Sequence, residues 1–237
     1  MEIQQVIGFF KQRGIPLARE QARLFLAHMH LMLQENKRIN LTRITGEERI
    51  LEEHFWDSVA CLEQGRPFTG PSLLDVGTGA GFPGVPMKIL FPEIQLTLME
   101  SAGKRAAYLR QLVRELGLEG AEVIQQRAEE YGRNKGREMY TWVVARALAP
   151  LVTAIELTLP LVQVNGFFWA FKGRDCREEL DEARTIIARC GGRLEAVMPY
   201  QLHGESSCRN ILVFKKEKPT EKIFPRKSGM PQKRPLF

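Results

Sequence analysis

The chain has 237 residues, 44% of them apolar and 26% charged, with 34 lysines and arginines against 28 acids. These values belong to a globular protein and exclude a disordered or collagen-like chain; the longest apolar runs, such as Gly166–Phe171, fall far short of a membrane span. The net charge of +6 is concentrated in residues 215–237, which hold eight basic side chains and two acids, so residues 1–214 are electrically neutral.

Residues 1–34 read as two helices. Ile3, Val6, Ile7 and Phe10 recur at helical spacing until Gly14-Ile15-Pro16 interrupts them. Leu24, Phe25, His28, Leu31 and Met32 then line one side of the next helix. Asn36–Thr45 is a polar, basic connector, and a third helical stretch covers about 45–63, with Thr45 as its cap. From Ser72 short apolar runs alternate with amphipathic segments. Strands are predicted at Ser72–Val76, Gln95–Met99, Glu122–Gln125, Trp142–Ala145 and Gly166–Lys172. Helices are predicted between them at Pro83–Leu90, Lys104–Leu116, Glu129–Arg133 and Leu151–Leu161. Such alternation implies a parallel sheet covered on both faces. A helix over Asp175–Cys190 leads to strands at Leu194–Gln201 and Asn210–Lys215, whose short connection requires an antiparallel pair. The expected fold is α/β, a mostly parallel seven-stranded sheet ending in an antiparallel hairpin. It divides into a helical extension (1–66), the sheet domain (67–216) and a basic, proline-rich tail (217–237) expected to be extended, loosely packed and ordered by a partner.

Cys61, Cys176, Cys190 and Cys208 form no CxxC pair, and the four histidines give no metal signature. With no signal peptide, the chain reads as reduced and cytoplasmic, without metal or membrane.

The first strand runs into Asp75-Val76-Gly77-Thr78-Gly79-Ala80-Gly81-Phe82-Pro83-Gly84. Gly77, Gly79 and Gly81 at a strand-to-helix turn let the backbone approach a ligand and expose amides at a helix start. Gly79 to Gly84 also satisfies G-x-G-x-x-G, so an NAD-dependent oxidoreductase is a competing reading. Asp75 weighs against it: an acid two residues before the first glycine repels a pyrophosphate and favours an ammonium group. The D-x-G-x-G-x-G spacing and the terminal hairpin point the same way.

This pattern resembles the class I S-adenosylmethionine-dependent methyltransferases. That resemblance implies that the loop holds the methionine part of the cofactor and that Glu100, ending the second strand, holds the ribose hydroxyls. Ala128 and Glu129, after the third strand, would meet the adenine through a backbone N–H; an acid-rich helix start is the other reading.

The fourth strand ends on Arg146 and the fifth on Lys172, the two candidates for a catalytic role. Neither an Asp/Asn-Pro-Pro-aromatic motif nor a cysteine nucleophile stands at the fourth strand end. Arg146 offers a bidentate fork for a cofactor carboxylate or a substrate phosphate, or it pairs with a nearby acid. No general base is evident, which suits an acceptor with a free lone pair, such as guanine N7.

Further stretches appear in order: Asn40-Leu41-Thr42, His54-Phe55-Trp56-Asp57-Ser58, Gly103-Lys104-Arg105, Arg146-Ala147, Phe171-Lys172-Gly173, Arg209-Asn210 and Phe224-Pro225-Arg226-Lys227-Ser228-Gly229. With the glycine loop they resemble the bacterial 16S ribosomal RNA guanine-N7 methyltransferases over nearly the whole chain. The resemblance implies methyl transfer from S-adenosylmethionine, leaving S-adenosylhomocysteine, to N7 of one guanine in 16S rRNA. Family cofactor positions fall on Gly77, Phe82, Ala128, Glu129 and Arg146, to which the pattern adds Asp75, Gly79, Gly81 and Glu100. Candidate RNA contacts are Asn40, Arg43, His54, Asp57, Ser58, Lys172, Arg209, Arg226, Lys227, Lys233 and Arg234. His54, Asp57 and Ser58 share one helix face, where a hydrogen-bonded structural cluster is the alternative. Asn40 and Arg43 read equally as a solvated loop. The expected partner is 16S rRNA, free or within a small-subunit assembly particle, and the expected state is a monomer. An RNA-binding module with a degenerate cofactor pocket is the non-enzymatic alternative.

Overall fold

The apolar runs from Ser72 onward are strand-length, and they pair into one sheet. The computed structural model describes residues 1–64, 70–173, 176–203 and 208–236. Its strands are β1 (Ser72–Val76), β2 (Gln95–Met99), β3 (Ala121–Ile124), β4 (Tyr140–Arg146), β5 (Val162–Lys172), β6 (Gly192–Tyr200) and β7 (Arg209–Lys216), in the spatial order β3-β2-β1-β4-β5-β7-β6. The first five are parallel to their neighbours, whereas β7 runs antiparallel to β5 and β6 antiparallel to β7.

Side chains alternate across the pleat and divide the core in two. Along β5, Trp169 and Phe171 enter one layer and Phe168 and Ala170 the other. The first layer is covered by α1 (Ile3–Lys11), α2 (Arg19–Ile39), α5 (Gly84–Leu90) and α6 (Gly103–Glu115). Phe10, Phe25 and Phe55 pack there in one continuous cluster with sheet residues Leu73, Leu98 and Val144. The second layer is covered by α8 (Leu151–Thr158) and α9 (Arg177–Arg189). Between α2 and β1 lie α3 (Glu47–Ile50), a π-helical turn at Leu51–Trp56, α4 (Asp57–Val59) and a 3-10 turn at Ala60–Gln64. The expected boundary at 66/67 and the first residue of the Asp175–Cys190 helix lie outside the described residues.

Two expectations change. The second helix does not stop at 34 but continues to Ile39, because Asn40 closes it in the left-handed region (φ 49°) and Asn36 clasps the backbone of Thr42 from both sides, at 2.8 and 2.9 Å. The polar connector is therefore only 40–46.

The tail, moreover, is tied down rather than loose. Arg137 donates to the carbonyls of Phe224 (2.8 Å) and Thr220 (2.7 Å), and buried Lys216 donates to Leu159 O at 2.7 Å. Phe224 enters the α8/α9 layer, and Arg226 makes a two-pronged ion pair with Glu156 of α8 at 2.7–3.1 Å. The last short helix, α10 (Met230–Lys233), receives a hydrogen bond from Thr153 Oγ1 at Pro231 O (3.1 Å). The tail has little apolar periodicity because polar bonds into buried groups hold it. Among the described residues no helix is long and apolar enough to cross a membrane.

Candidate active site

The strand order reverses between β1 and β4, the place where open α/β sheets leave a crevice at their carboxyl ends. The glycine loop fills one side of it. Gly77, Gly79 and Gly81 all have positive φ, and a Cβ on Gly77 would stand 2.6 Å from Leu148 Cδ1. The positive φ is what favours glycine at that position, since Leu148 could move its side-chain end aside. Gly77 N–H donates to Met99 O (2.8 Å) and fixes the loop to the end of β2.

Asp75 is fully buried, and its Oδ2 accepts from Thr78 Oγ1 (2.6 Å) and from Gly84 N–H at the start of α5 (2.8 Å). Its Oδ1 has no hydrogen-bond partner among the described residues. Burial pushes this carboxyl up to about 6, so at neutral pH it is still mainly ionised. Glu100 is also buried, and one of its oxygens accepts from Ala102 N–H at 2.8 Å.

Phe82 lies between two imidazoles, with ring centroids 4.8 Å from His28 and 4.7 Å from His54, at interplanar angles of 17° and 19°. The Phe82 ring is thus packed on side chains of the protein itself, with Arg146 Cζ a further 5.0 Å from its centroid. His28 Nε2 donates to Ala80 O (2.8 Å), so α2 holds the middle of the glycine loop.

Arg146, at the end of β4, is drawn into the same cluster. Its Nη1 donates to Asp57 Oδ2 at 2.6 Å and reaches the carbonyls of Glu53 and His54; its Nη2 lies 3.3 Å from His54 Nδ1. Asp57 is 1% exposed, and its Oδ1 accepts from Tyr200 OH (2.7 Å) and Arg209 Nη1 (2.9 Å). One carboxylate thus joins α4, β4, β6 and β7. These groups wall a cavity of 190 Å³ with Leu148, Phe168 and Lys172. Lys172 Nζ pairs with Glu179 Oε2 (2.6 Å), which also accepts from Leu151 N–H (2.7 Å). Among the described residues Asp57 and Glu179 are the carboxylates that meet the cations of this wall.

A family profile for rRNA small subunit methyltransferase G matches residues 21–212. The chain is 44% identical over 227 residues to ribosomal RNA small subunit methyltransferase G of Pelotomaculum thermopropionicum, covering 95% of each chain. It is 39% identical over 239 residues to the protein of that name from Staphylococcus carnosus, covering 100% of each. The chain belongs to the rRNA small subunit methyltransferase G family. Among solved structures it resembles a SAM-dependent methyltransferase from Aquifex aeolicus (TM-score 0.52, 17% identity, 77% of this chain and 97% of that one). It likewise resembles a ribosomal protein L11 methylase from Lactobacillus delbrueckii (TM-score 0.52, 14% identity, 70% and 79%). Both share the class I methyltransferase fold. The oxidoreductase and degenerate-module readings of the loop find no support in these likenesses.

The methyltransferase distributes its other anticipated residues unevenly. Asp57 and His54 turn toward Arg146, whereas Ser58 is buried and donates to His54 O at 2.6 Å. Ser58 is thus internal, which corrects its assignment as an RNA contact, whereas Asp57, though buried, lines the cavity. Arg226 is corrected as well, since its guanidinium is held by buried Glu156. Asn40, Arg43, Lys227, Lys233 and Arg234 are exposed, and Arg209 is half-buried in the cavity wall. Ala128 and Glu129 form the first turn of α7 (Ala128–Gly132), where amides have no acceptor within the helix. The Glu129 carboxylate instead accepts from Gly229 N–H in the tail (2.8 Å).

Residues that the sequence reading missed are His28 as the loop's hydrogen-bond donor, Thr42, Tyr200, Glu156 and Glu179. Two carried a signal: His28 is polar on an apolar helix face, and Glu156 is the one charged residue in the mostly apolar run Leu151–Leu161. A polar group in such a place needs a buried partner. Among the described residues no cluster of histidine, cysteine or acid side chains is arranged to hold a metal ion.

Proposed function

We propose that this chain transfers the methyl group of S-adenosylmethionine to N7 of a guanine in 16S rRNA, with the donor over the glycine loop and the acceptor base in the neighbouring cavity. The observation that carries the proposal is the membership of the rRNA methyltransferase family over nearly the whole chain, supported by the crevice at the carboxyl ends of β1 and β4. The partnerless Oδ1 of Asp75 is the acceptor a ligand ammonium group would satisfy. In this reading Glu100, at the end of β2, accepts from the ribose diol and the first-turn amides of α7 donate to the adenine, as the family resemblance implies. When bound, S-adenosylmethionine supplies an electrophilic methyl group on a sulfonium.

The chain's own part is alignment and charge balance. Among the described residues each acid about the cavity is already committed: Asp57 to Arg146, Arg209 and Tyr200, and Glu179 to Lys172 and Leu151 N–H. Burial next to Asp57 drives the Tyr200 hydroxyl far above its ordinary range, so it stays protonated. A site of this kind suits an acceptor that has a lone pair and no proton to lose, as guanine N7 does. Cations beside a base that becomes cationic would be unfavourable, but Arg146 and Arg209 pair with Asp57 and Lys172 with Glu179. The guanidinium and ammonium donors of this wall suit the phosphates that accompany the base. Exposed Asn40, Arg43, Lys227, Lys233 and Arg234 extend that contact.

The test is incubation with unmodified small-subunit rRNA, naked and in particles, with radiolabelled cofactor, followed by mapping of the label. Label at N7 of a single guanine is expected. Label on adenine or on a ribose would overturn the assignment.

A further inference from the structure

His54 stands between the polar connector and Arg146, and its two nitrogens are constrained from opposite sides. Nδ1 lies 3.3 Å from Arg146 Nη2. A guanidinium carries only donors and keeps its protons, so Nδ1 must be the bare, accepting nitrogen. The proton of the neutral ring is then on Nε2, 2.7 Å from Thr42 Oγ1. Thr42 is itself fixed: its Oγ1 accepts from Ile44 N–H (3.0 Å), and Asn36 clasps its backbone. The ring plane is set independently by the stack on Phe82.

We propose that His54 is a positioning residue for Arg146: a neutral imidazole, protonated on Nε2 and locked by Thr42, whose Nδ1 joins Asp57 in aiming the guanidinium along the cavity wall. This rests on the reading of that cavity as the methyl-transfer site. Without the acceptor at Nδ1, the described contacts left to the arginine side chain are Asp57, two main-chain carbonyls at 3.3 and 3.4 Å and the Phe82 ring. The alternative tautomer would point an N–H at Arg146. An imidazolium would place a second cation there, and burial and the Arg146 charge accordingly push the ring's pKa down to about 3 against the pull of Asp57. The connector thus reaches the active site through Thr42, a residue that touches neither the cavity nor the glycine loop in any contact described.

The test has two arms. In protein labelled with nitrogen-15 at histidine, His54 at pH 7 should show a pyridine-like Nδ1 and a pyrrole-like Nε2 by NMR. Thr42→Ser should keep that pattern, and Thr42→Val should keep the tautomer, which Arg146 sets, while shifting the Nε2 resonance; the reversed tautomer or an imidazolium in the wild type would overturn the proposal. In rRNA methylation assays, His54→Phe keeps a ring on Phe82 without the acceptor. It should lower kcat/KM about ten- to a hundredfold, the range for losing a hydrogen bond to a charged group. His54→Asn, which returns an acceptor oxygen near the Nδ1 position, should restore most of that loss. Thr42→Val should cost about three- to tenfold, with Thr42→Ser close to wild type. Full activity of His54→Phe at an unchanged melting temperature would refute a positioning role. A wild-type enzyme that methylates no rRNA would instead refute the functional reading, while the imidazole resonances would still decide the hydrogen-bond assignment.

Discussion

Replacing Arg226 by methionine should destabilise the whole protein. Glu156 is 1% exposed, and Arg226 supplies its contacts through Nε, Nη2 and the main-chain N–H, at 2.7–3.1 Å. Arg226→Met leaves a buried carboxylate with one backbone donor. Breaking a buried pair in this way costs about 3–5 kcal/mol. For a domain of this size each kcal/mol lowers Tm by roughly 2–4 °C, so a fall on the order of 6–20 °C follows. Glu156→Met in the same chain removes the stranded charge and should recover most of the loss, because well-packed apolar replacements of buried pairs are often neutral. Calorimetric melting of the wild type, both single variants and the double variant gives the coupling energy directly. A drop under about 2 °C for Arg226→Met, combined with a large loss of RNA affinity, would refute the structural assignment and return Arg226 to the RNA surface.

The exposed tail cations should behave in the opposite way. Lys227→Gln, Lys233→Gln and Arg234→Gln together should leave Tm unchanged and flatten the salt dependence of RNA binding by up to about 2, measured by anisotropy across ionic strengths; an unchanged slope would show that these side chains miss the phosphates. Gly77→Ala places a Cβ 2.6 Å from Leu148 at φ +70, so it should abolish S-adenosylhomocysteine binding in calorimetry at a stability cost of about 1–2 kcal/mol. Acid should weaken the fold in a defined window. Burial lowers His28 from 6.5 to about 4 and His54 from 6.5 to about 3, so between these values the unfolded chain binds more protons than the native one. The stability these rings contribute is complete above pH 6.5 and is lost as pH falls. Asp75, raised from 3.8 to about 6, opposes this by one proton near pH 5, and the two histidines outweigh it. Urea midpoints should therefore fall between pH 7 and pH 5, and fall less in His54→Phe; a midpoint that rises on acidification would contradict the burial of these rings.

The sheet was legible because its strands are short apolar runs separated by glycine-rich turns, and β1 and β2 match their sequence bounds at Ser72–Val76 and Gln95–Met99. The glycine loop was legible for the same local reason. The His28–Phe82–His54 stack was not. Its two histidines lie 54 and 28 residues from Phe82 along the chain, and an imidazole on an apolar helix face does not announce which loop it will meet. Asp57 is a similar case: its partners Tyr200 and Arg209 arrive from the terminal hairpin. The tail was misread because composition reports apolar content, and this segment is held by Arg137, Glu156 and Glu129, all of them polar and distant in sequence.

The pairing of Arg226 with Glu156 also imposes an order on synthesis. Glu156 emerges from the ribosome 70 residues before its partner. Until then α8 carries a carboxylate that its apolar surroundings cannot accommodate in charged form. A nascent chain can form the sheet as far as β5, yet the layer beneath α8 closes only when the last segment arrives. Chains ending before residue 226 should therefore be recognised by proteases as unfinished, so full-length synthesis becomes a condition of native stability.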